Sequence, residues 1–443
     1  MEEKTPRVRD DIELHPLRYG DRQMVLVRDP LGLIKEPIVL NEAAASVLAM
    51  LDGTHTISDL RLFLTRSQGG VLVTTDEVHR VLNQLSAVFL LEDERFTKAR
   101  SEIVSKYAAE PVRRAFHAGA GYPEDREQLA RMLDQVLVTA KQETDVDRVE
   151  FALPAEGGDE SSAVSWPPVE NNMFPQEDIV ALVAPHMEID ASARYYGLAY
   201  NQMMGADVGL VFILGTGHSL KSRMFSLTTK DFETPLGTAA TEKPIVEELI
   251  AAAPGCILDN DLPHRHEHSI EFQVIFLQHV LRNPEIRMVP ILCGSFRDQL
   301  STCNRASEIP EVGDFLRKLR SVIDRETDRE KRKCLVVAGV DFSHIGLKFG
   351  DQYTGRTLLQ ETTEYDKALI NRLCNWDANG FWQVARNAND KYKVCGFAPL
   401  ASLLEILPSA KGHFLGYDVW HEDATHSAVS FASIVFTRSA PAS

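Results

Sequence analysis

Lys333-Cys334-Leu335-Val336-Val337-Ala338-Gly339-Val340-Asp341-Phe342-Ser343-His344 is a short apolar, β-branched run that breaks abruptly into Asp, Ser and His. Such a run reads as a buried strand. Two earlier stretches repeat the design: Ile179–Ala184 runs into Pro185-His186, and Val208–Leu214 runs into Gly215-Thr216-Gly217-His218. Open α/β sheets place their ligands at the carboxyl ends of the strands, so parallel strands would bring all three histidines to one edge. Arg287–Gly294 offers another buried strand. Helical patterns follow or separate these runs at Tyr195–Tyr200, Lys243–Ala252, Phe272–Leu281 and Phe315–Ile323. The alternation predicts a mainly parallel sheet covered by helices on both faces.

At 443 residues the chain is long for one domain, and its 44% apolar and 25% charged residues suit a globular fold with a sizeable core. A formal charge of −17 argues against nucleic acid or an anionic membrane as partner, since both favour basic surfaces. The N-terminus lacks an apolar signal core, and no run approaches the ~20 apolar residues that span a bilayer, so a cytoplasmic location is expected. The six cysteines show neither CxxC spacing nor a disulfide framework, and most read as small buried hydrophobes.

The region from His15 to about Glu92 has a different rhythm. Gln23–Val27 and Glu36–Leu40 read as a strand pair, Asn41 as the cap of a helix over Ala43–Leu51, and Thr56-Ile57-Ser58-Asp59 as a capping box opening a second helix. Val71-Leu72-Val73 reads as a brief strand. Thr74–Glu77 starts a third helix with Val78, Val81, Leu82 and Leu85 in a stripe. This describes a small winged-helix-like domain. Residues 96–111 read as a charged helical connector, Ala115–Pro123 as a Gly-rich turn, and Leu129, Met132, Leu133, Val136 and Leu137 as one helix face. The acidic stretch 142–178 reads as a surface loop, and 438–443 as a tail.

His186 and His218 follow strands directly, so their backbones are held as metal ligands require; each reads either as a ligand or as a hydrogen-bonded cleft histidine. His264, His266 and His268 alternate and would share a face if extended, with a solvated loop as the alternative. At a helix start, His268 would feel a dipole favouring the neutral ring. Asp341 and His344 are three apart, a spacing that suits either an oriented proton-transfer pair or a structural Asp. Ser343 lies in no GxSxG elbow, which argues against a serine hydrolase. Cys395, on spacing alone, reads as a buried apolar cysteine.

Several pieces in fixed order resemble the Memo family, the B component of the AmmeMemoRadiSam system. They are Phe116-His117-Ala118-Gly119 with Tyr122, Pro185-His186, Leu214-Gly215 with His218, Thr234-Pro235-Leu236, Glu267–Glu271, Asp341–His344, and Cys395-Gly396 with Pro399. The match covers residues 112–437. It implies a three-layer α/β/α sandwich similar to class III extradiol dioxygenases, with a metal site in the cleft. His186, His218 and Cys395 fall where the family binds metal, and this donor set would suit iron or copper. Asp341, His344 and His268 match further cleft residues and are implied to be catalytic, His344 in proton transfer. Two departures alter the pocket wall: Met187-Glu188-Ile189 replaces the usual Ala-Gly-Tyr, and Thr216-Gly217 replaces Pro-Ser. Glu188 would bring a carboxylate there.

Residues 15–95, through Leu40–Ala44 and Leu51–Ile57, resemble PqqD-like peptide-recognition domains. That resemblance implies an extended peptide adding to a sheet edge. An accessory packing domain and a DNA reader are the alternatives, although no helix carries a basic cluster. Together the resemblances imply a PqqD-like domain over 1–95 and a Memo-type domain over 112–437. The chain would be a metal-dependent redox enzyme acting on a peptide or small aromatic substrate. The alternatives are a non-catalytic peptide-binding scaffold beside a radical-SAM partner and a metal-dependent hydrolase. Glu271 is a weaker candidate, as a partner of one histidine.

Overall fold

The computed structural model describes residues 3–19, 22–142, 165–170, 172–283 and 285–439. Most of the expected acidic loop, 143–164, lies outside the described residues, as do positions 440–443 of the expected tail. The chain divides into two compact units, one ending at Ala109 and the other starting at Glu110.

The first unit contains strands β1 (Glu13–Tyr19), β2 (Arg22–Arg28) and β3 (Ile38–Asn41), antiparallel in the order β1-β2-β3. Four helices follow: α1 (Glu42–Ala49), α2 (Ile57–Ser67), α3 (Thr75–Ala87) and α4 (Glu94–Ala108). Asn41 caps α1 by accepting from Ala44 N–H. Complete capping boxes, Thr56 with Asp59 and Thr74 with Glu77, open α2 and α3 and satisfy N–H groups that the helix itself leaves open. Leu60, Val78 and Leu90 centre the core. The helix α4, read from sequence as a connector, lies within this unit, where Phe96 sits 4.4 Å beneath the buried Arg9 guanidinium. Strand β1 was not foreseen; it carries Pro16, which an edge strand tolerates. Val71–Val73 forms no strand. It follows two positive-φ glycines, Gly69 and Gly70, and Leu72 is 85% exposed.

The second unit is built on an eleven-stranded sheet. Its elements begin with β4 (Val112–Arg113), α5 (Arg126–Gln142), β5 (Ile179–Ala184), α6 (Ile189–Asn201), β6 (Leu210–Thr216) and β7 (Phe225–Leu227). They continue with β8 (Asp231–Thr234), β9 (Gly237–Thr241), α7 (Lys243–Ala252), α8 (His268–Val280), β10 (Arg287–Cys293) and α9 (Val312–Asp328). The last are β11 (Cys334–Gly339), β12 (His344–Gly346), α10 (Gly355–Cys374), α11 (Ala378–Ala388), α12 (Phe397–Ile406), β13 (Ala410–Glu422) and β14 (Ser427–Arg438). The sheet order is β12-β14-β5-β11-β6-β10-β9-β8-β4, with β13 on β14 and β7 on β10.

At the centre β5, β11, β6 and β10 are parallel neighbours. Their side chains alternate between two cores, as a pleated strand dictates. Val336, Ala338 and Phe212 pack with Leu316 of α9, Leu369 of α10 and Leu400 of α12. Leu335, Val337 and Ile213 pack with Leu133 of α5, Tyr196 of α6 and Phe276 of α8. Helices therefore cover both faces of the sheet. Two hairpins were not foreseen: β8–β9, and the long β13–β14, whose second strand runs antiparallel beside β5. No helix among the described residues is long and apolar enough to cross a membrane.

Candidate functional site

Because β11 lies between β5 and β6, the three strand ends singled out by their histidines adjoin on one edge. Gly339, the last residue of β11, accepts a hydrogen bond from His186 Nδ1 at 2.9 Å. A Cβ at Gly339 would lie 2.5 Å from Ser269 O, so glycine is what lets this strand end approach α8. A carbonyl can only accept, so Nδ1 of His186 carries the proton and Nε2 presents its lone pair. That nitrogen stands 3.5 Å from Cys395 Sγ and 3.5 Å from Asp341 Oδ2. Cys395 arrives from the turn before α12. A Cβ on Gly396 would come within 2.5 Å of Asp341 O, so this residue too must be small.

His218 is oriented by a carboxylate. Its Nδ1 lies 3.0 and 3.1 Å from the two oxygens of buried Glu267, which leaves Nε2 as the ring nitrogen available to a metal. One donor atom from each of His186, His218 and Cys395 lies within 4.8 Å of the other two. A second group, His218, Glu267 and His268, meets the same spacing. His268 is the first residue of α8; its ring stacks on His218 at 5.0 Å and meets His186 edge-on at 5.1 Å. His117 meets His268 edge-on at 5.6 Å.

The electrostatics follow from this packing. Burial opposes ionisation of Cys395, but the neighbouring His186 and His218 outweigh it and lower the thiol to about 7. Burial likewise opposes charge on His218, yet the Glu267 carboxylate raises its pKa well above the usual value. Glu267 itself is held well below the carboxylate range: burial works against its charge, and His218 overcomes it. His268 stays neutral because burial, with the nearby imidazoles, outweighs the Glu267 carboxylate and lowers its pKa well below normal. Burial raises Asp341 to about 6 and lowers His344.

Several expectations are corrected. Asp341 and His344 do not form a hydrogen-bonded pair. Asp341 Oδ1 accepts from the backbone N–H of His186 at 3.1 Å and Met187 at 3.2 Å, while His344 Nδ1 donates to Phe342 O at 3.1 Å. The alternating histidines do not share a face, because Leu262–Arg265 is a 3-10 turn rather than extended. His264 is buried against Ser226 O, and His266 stacks on Phe116 at 3.9 Å. Glu271 binds Arg113, Tyr122 and the backbone N–H of His117, and makes no hydrogen bond to a histidine ring among the described residues. Glu188 is exposed at the start of α6. Ser343, whose lack of a GxSxG elbow already argues against a nucleophile, is fully buried and donates to Asp366 at 2.6 Å.

Glu267 is the partner that sequence reasoning missed; its position immediately before an apolar helix was the available signal, since it is the N-cap of α8 and accepts from Ser269 N–H. Arg113 fixes the preceding turn by donating to His264 O at 3.0 Å and Glu267 O at 2.8 Å. Beside the cluster a cleft of about 240 Å³ opens on His218 and Cys395, lined also by Lys221, Arg297, Asp390 and Lys393.

Two imidazoles whose Nδ1–H groups are engaged by Gly339 O and the Glu267 carboxylate, with a thiol lowered to about 7, form a donor set chemically fit for a divalent metal, whose binding would displace the proton that the Glu267 charge favours on His218 Nε2. Comparison with known proteins points the same way as the order of the motifs. A MEMO1 family protein of Aquifex aeolicus is 28% identical over 434 residues, covering 97% of this chain and 99% of its own. One from Thermus thermophilus is 28% identical over 70% of this chain and 93% of its own, and one from Methanosarcina barkeri 28% over 59% and 87%. The family model described as Memo-like protein matches residues 113–435. The chain belongs to the Memo family.

Proposed function

We propose that the second unit is a metal-dependent redox enzyme, with His186, His218 and Cys395 as ligands of a divalent iron or copper ion. The observation that carries the proposal is the orientation of both imidazoles: Gly339 O and the Glu267 carboxylate each accept a hydrogen bond from an Nδ1–H, which leaves Nε2 as the ligand atom beside Cys395. A bound iron or copper ion would supply one-electron and O₂ chemistry. The chain's own residues would do the rest. Glu267 keeps His218 in one tautomer, and Asp341 fixes the backbone of His186 and Met187. His268, neutral and stacked on His218, orients the substrate. His344, whose Nδ1 is tied to Phe342 O, offers Nε2 as a proton acceptor.

The test is metal analysis of anaerobically purified protein beside a His186→Ala/His218→Ala variant. Stoichiometric metal in the wild type, lost in the variant, is expected; a metal-free wild type sinks the proposal. O₂ uptake with candidate aromatic substrates then separates oxidation from hydrolysis.

A second role concerns the first unit. Among the described residues no further strand pairs with β1 or β3 at the edges of its three-stranded sheet, and Leu14, Leu17 and Val39 are exposed. These edges support a PqqD-like use in which an extended substrate peptide adds as a strand, beside a radical-SAM partner of an AmmeMemoRadiSam-type pathway. Peptide binding that survives deletion of residues 1–95 would rule this out.

A further inference from the structure

We propose that the cleft beside the histidine–cysteine cluster receives a compact organic carboxylate, held by Lys221, Arg297 and Lys393; this rests on the cluster being the reaction centre. The chain as a whole is strongly acidic, with 64 Asp and Glu against 47 Lys and Arg. Its surface field therefore repels anions, yet the cleft lining reverses the sign. Three cations and one carboxylate, Asp390, line the same space as His218 and Cys395.

Two of the three cations are paired with carboxylates, and the excess positive charge of the lining comes from the third, Lys221. Arg297 Nε lies 3.3 Å from Asp390 and remains 64% exposed, and Lys393 Nζ lies 2.6 Å from Asp351. Lys221 is exposed and makes no hydrogen bond or ion pair among the described residues. The start of α12 adds to the positive potential: Phe397 and Ala398 line the cleft, and the N-cap, Gly396, supplies no side-chain acceptor. At about 240 Å³ the cleft is smaller than the ~300–1,000 Å³ of pockets for drug-sized ligands, which selects a compact molecule. Its apolar wall, Leu220, Phe296, Leu300 and Val394, suits a short hydrocarbon or ring behind the carboxylate. A carboxylate seated among the three cations would direct the rest of such a molecule toward His218 and Cys395.

The test titrates benzoate and neutral benzamide into chelator-treated wild type, Lys221→Gln, and Lys221→Gln/Lys393→Gln, read by ligand-observed NMR or calorimetry. Benzoate is expected to bind the wild type roughly tenfold or more tightly than benzamide, because the charge is what the lining recognises. Lys221→Gln, which breaks no ion pair, should erode that preference several-fold, and the double variant should abolish it while keeping the wild-type metal stoichiometry. Equal binding of the two probes, or a benzoate preference untouched by the substitutions, overturns the proposal. Inorganic phosphate is the third arm, and phosphate binding without benzoate binding overturns the carboxylate assignment. Lysine-dependent benzoate binding in a chain that takes up no metal would sustain the cleft and sink only the metal centre.

Discussion

Cys395 sits in an electrostatic setting that the other described thiols lack. Burial pushes Cys256 up to about 11 and Cys374 up to about 12, while the two imidazoles beside Cys395 lower it to about 7. The thiolate is the nucleophile, so in chelator-treated protein Cys395 should alkylate first, its rate rising through about pH 7 and levelling above it. Mass spectrometry of iodoacetamide-treated protein checks this; preferential labelling of another cysteine would contradict it. Glu267→Gln should keep the hydrogen bond to His218 while removing the charge, and weaken divalent-metal binding about 10–100-fold. Chelator competition measures that loss. At this scale the sequence was only partly legible. Residues that end a strand, such as His186, announce themselves by a change of pattern. Glu267 lies among alternating charged and imidazole side chains that read equally well as a solvated loop. Its burial depends on Arg113, about 150 positions away in sequence, which pins the turn.

Two buried polar clusters, one of them an ion pair, join elements of the second unit. Arg113 of β4 and Glu271 of α8 are both fully buried, and Tyr122 donates to the same carboxylate. Glu271→Ala leaves the Arg113 guanidinium buried and unpaired, so a loss of about 3–5 kcal/mol is expected in urea unfolding of the second unit. Tyr122→Phe removes one hydrogen bond and should cost about 1–2 kcal/mol. Asp366 of α10 holds β12 and the β13–β14 hairpin together by accepting from Ser343, Ser430 and Tyr417. Burial outweighs these donors and raises its pKa from 3.8 to about 6. Between pH 4 and 6 the folded state then binds more protons than the unfolded state, so this group's contribution falls as pH rises. Relative to Asp366→Asn, the wild type should lose on the order of 2–3 kcal/mol across that window. A stability difference that stays flat with pH would contradict the assignment. The parallel strands were legible because both of their faces are buried and they read as continuous apolar runs. The β13–β14 hairpin was not. Its connection, Asp423–His426, holds none of the Asn-Gly or Asp-Gly turn signals, and His426 adopts φ 52° without a glycine to mark it.

At the scale of the whole molecule, the two units have separate hydrophobic cores. One cluster, including Leu60, Val78 and Leu90, lies wholly within the first unit, and the two that sandwich the large sheet lie wholly within the second. Every residue of the candidate metal centre, its carboxylate partner and the neighbouring cleft falls after Glu110. The Aquifex aeolicus protein matches nearly the full length of both chains, whereas 59% of this chain accounts for 87% of the Methanosarcina barkeri protein. A family member can therefore do without a segment as large as the first unit. A unit with its own core folds alone when cutting the linker exposes little apolar surface, and the cut between Ala109 and Glu110 follows the end of α4 rather than dividing a strand or a core cluster. The fragment 110–443 should therefore fold, unfold in urea at the midpoint of the corresponding transition in the full chain, and bind divalent metal with unchanged stoichiometry. Circular dichroism, urea titration and metal analysis of the fragment beside the full chain measure all three. A fragment that folds at the same midpoint but takes up no metal would place an essential part of the centre in the first unit, against the location of every donor described above.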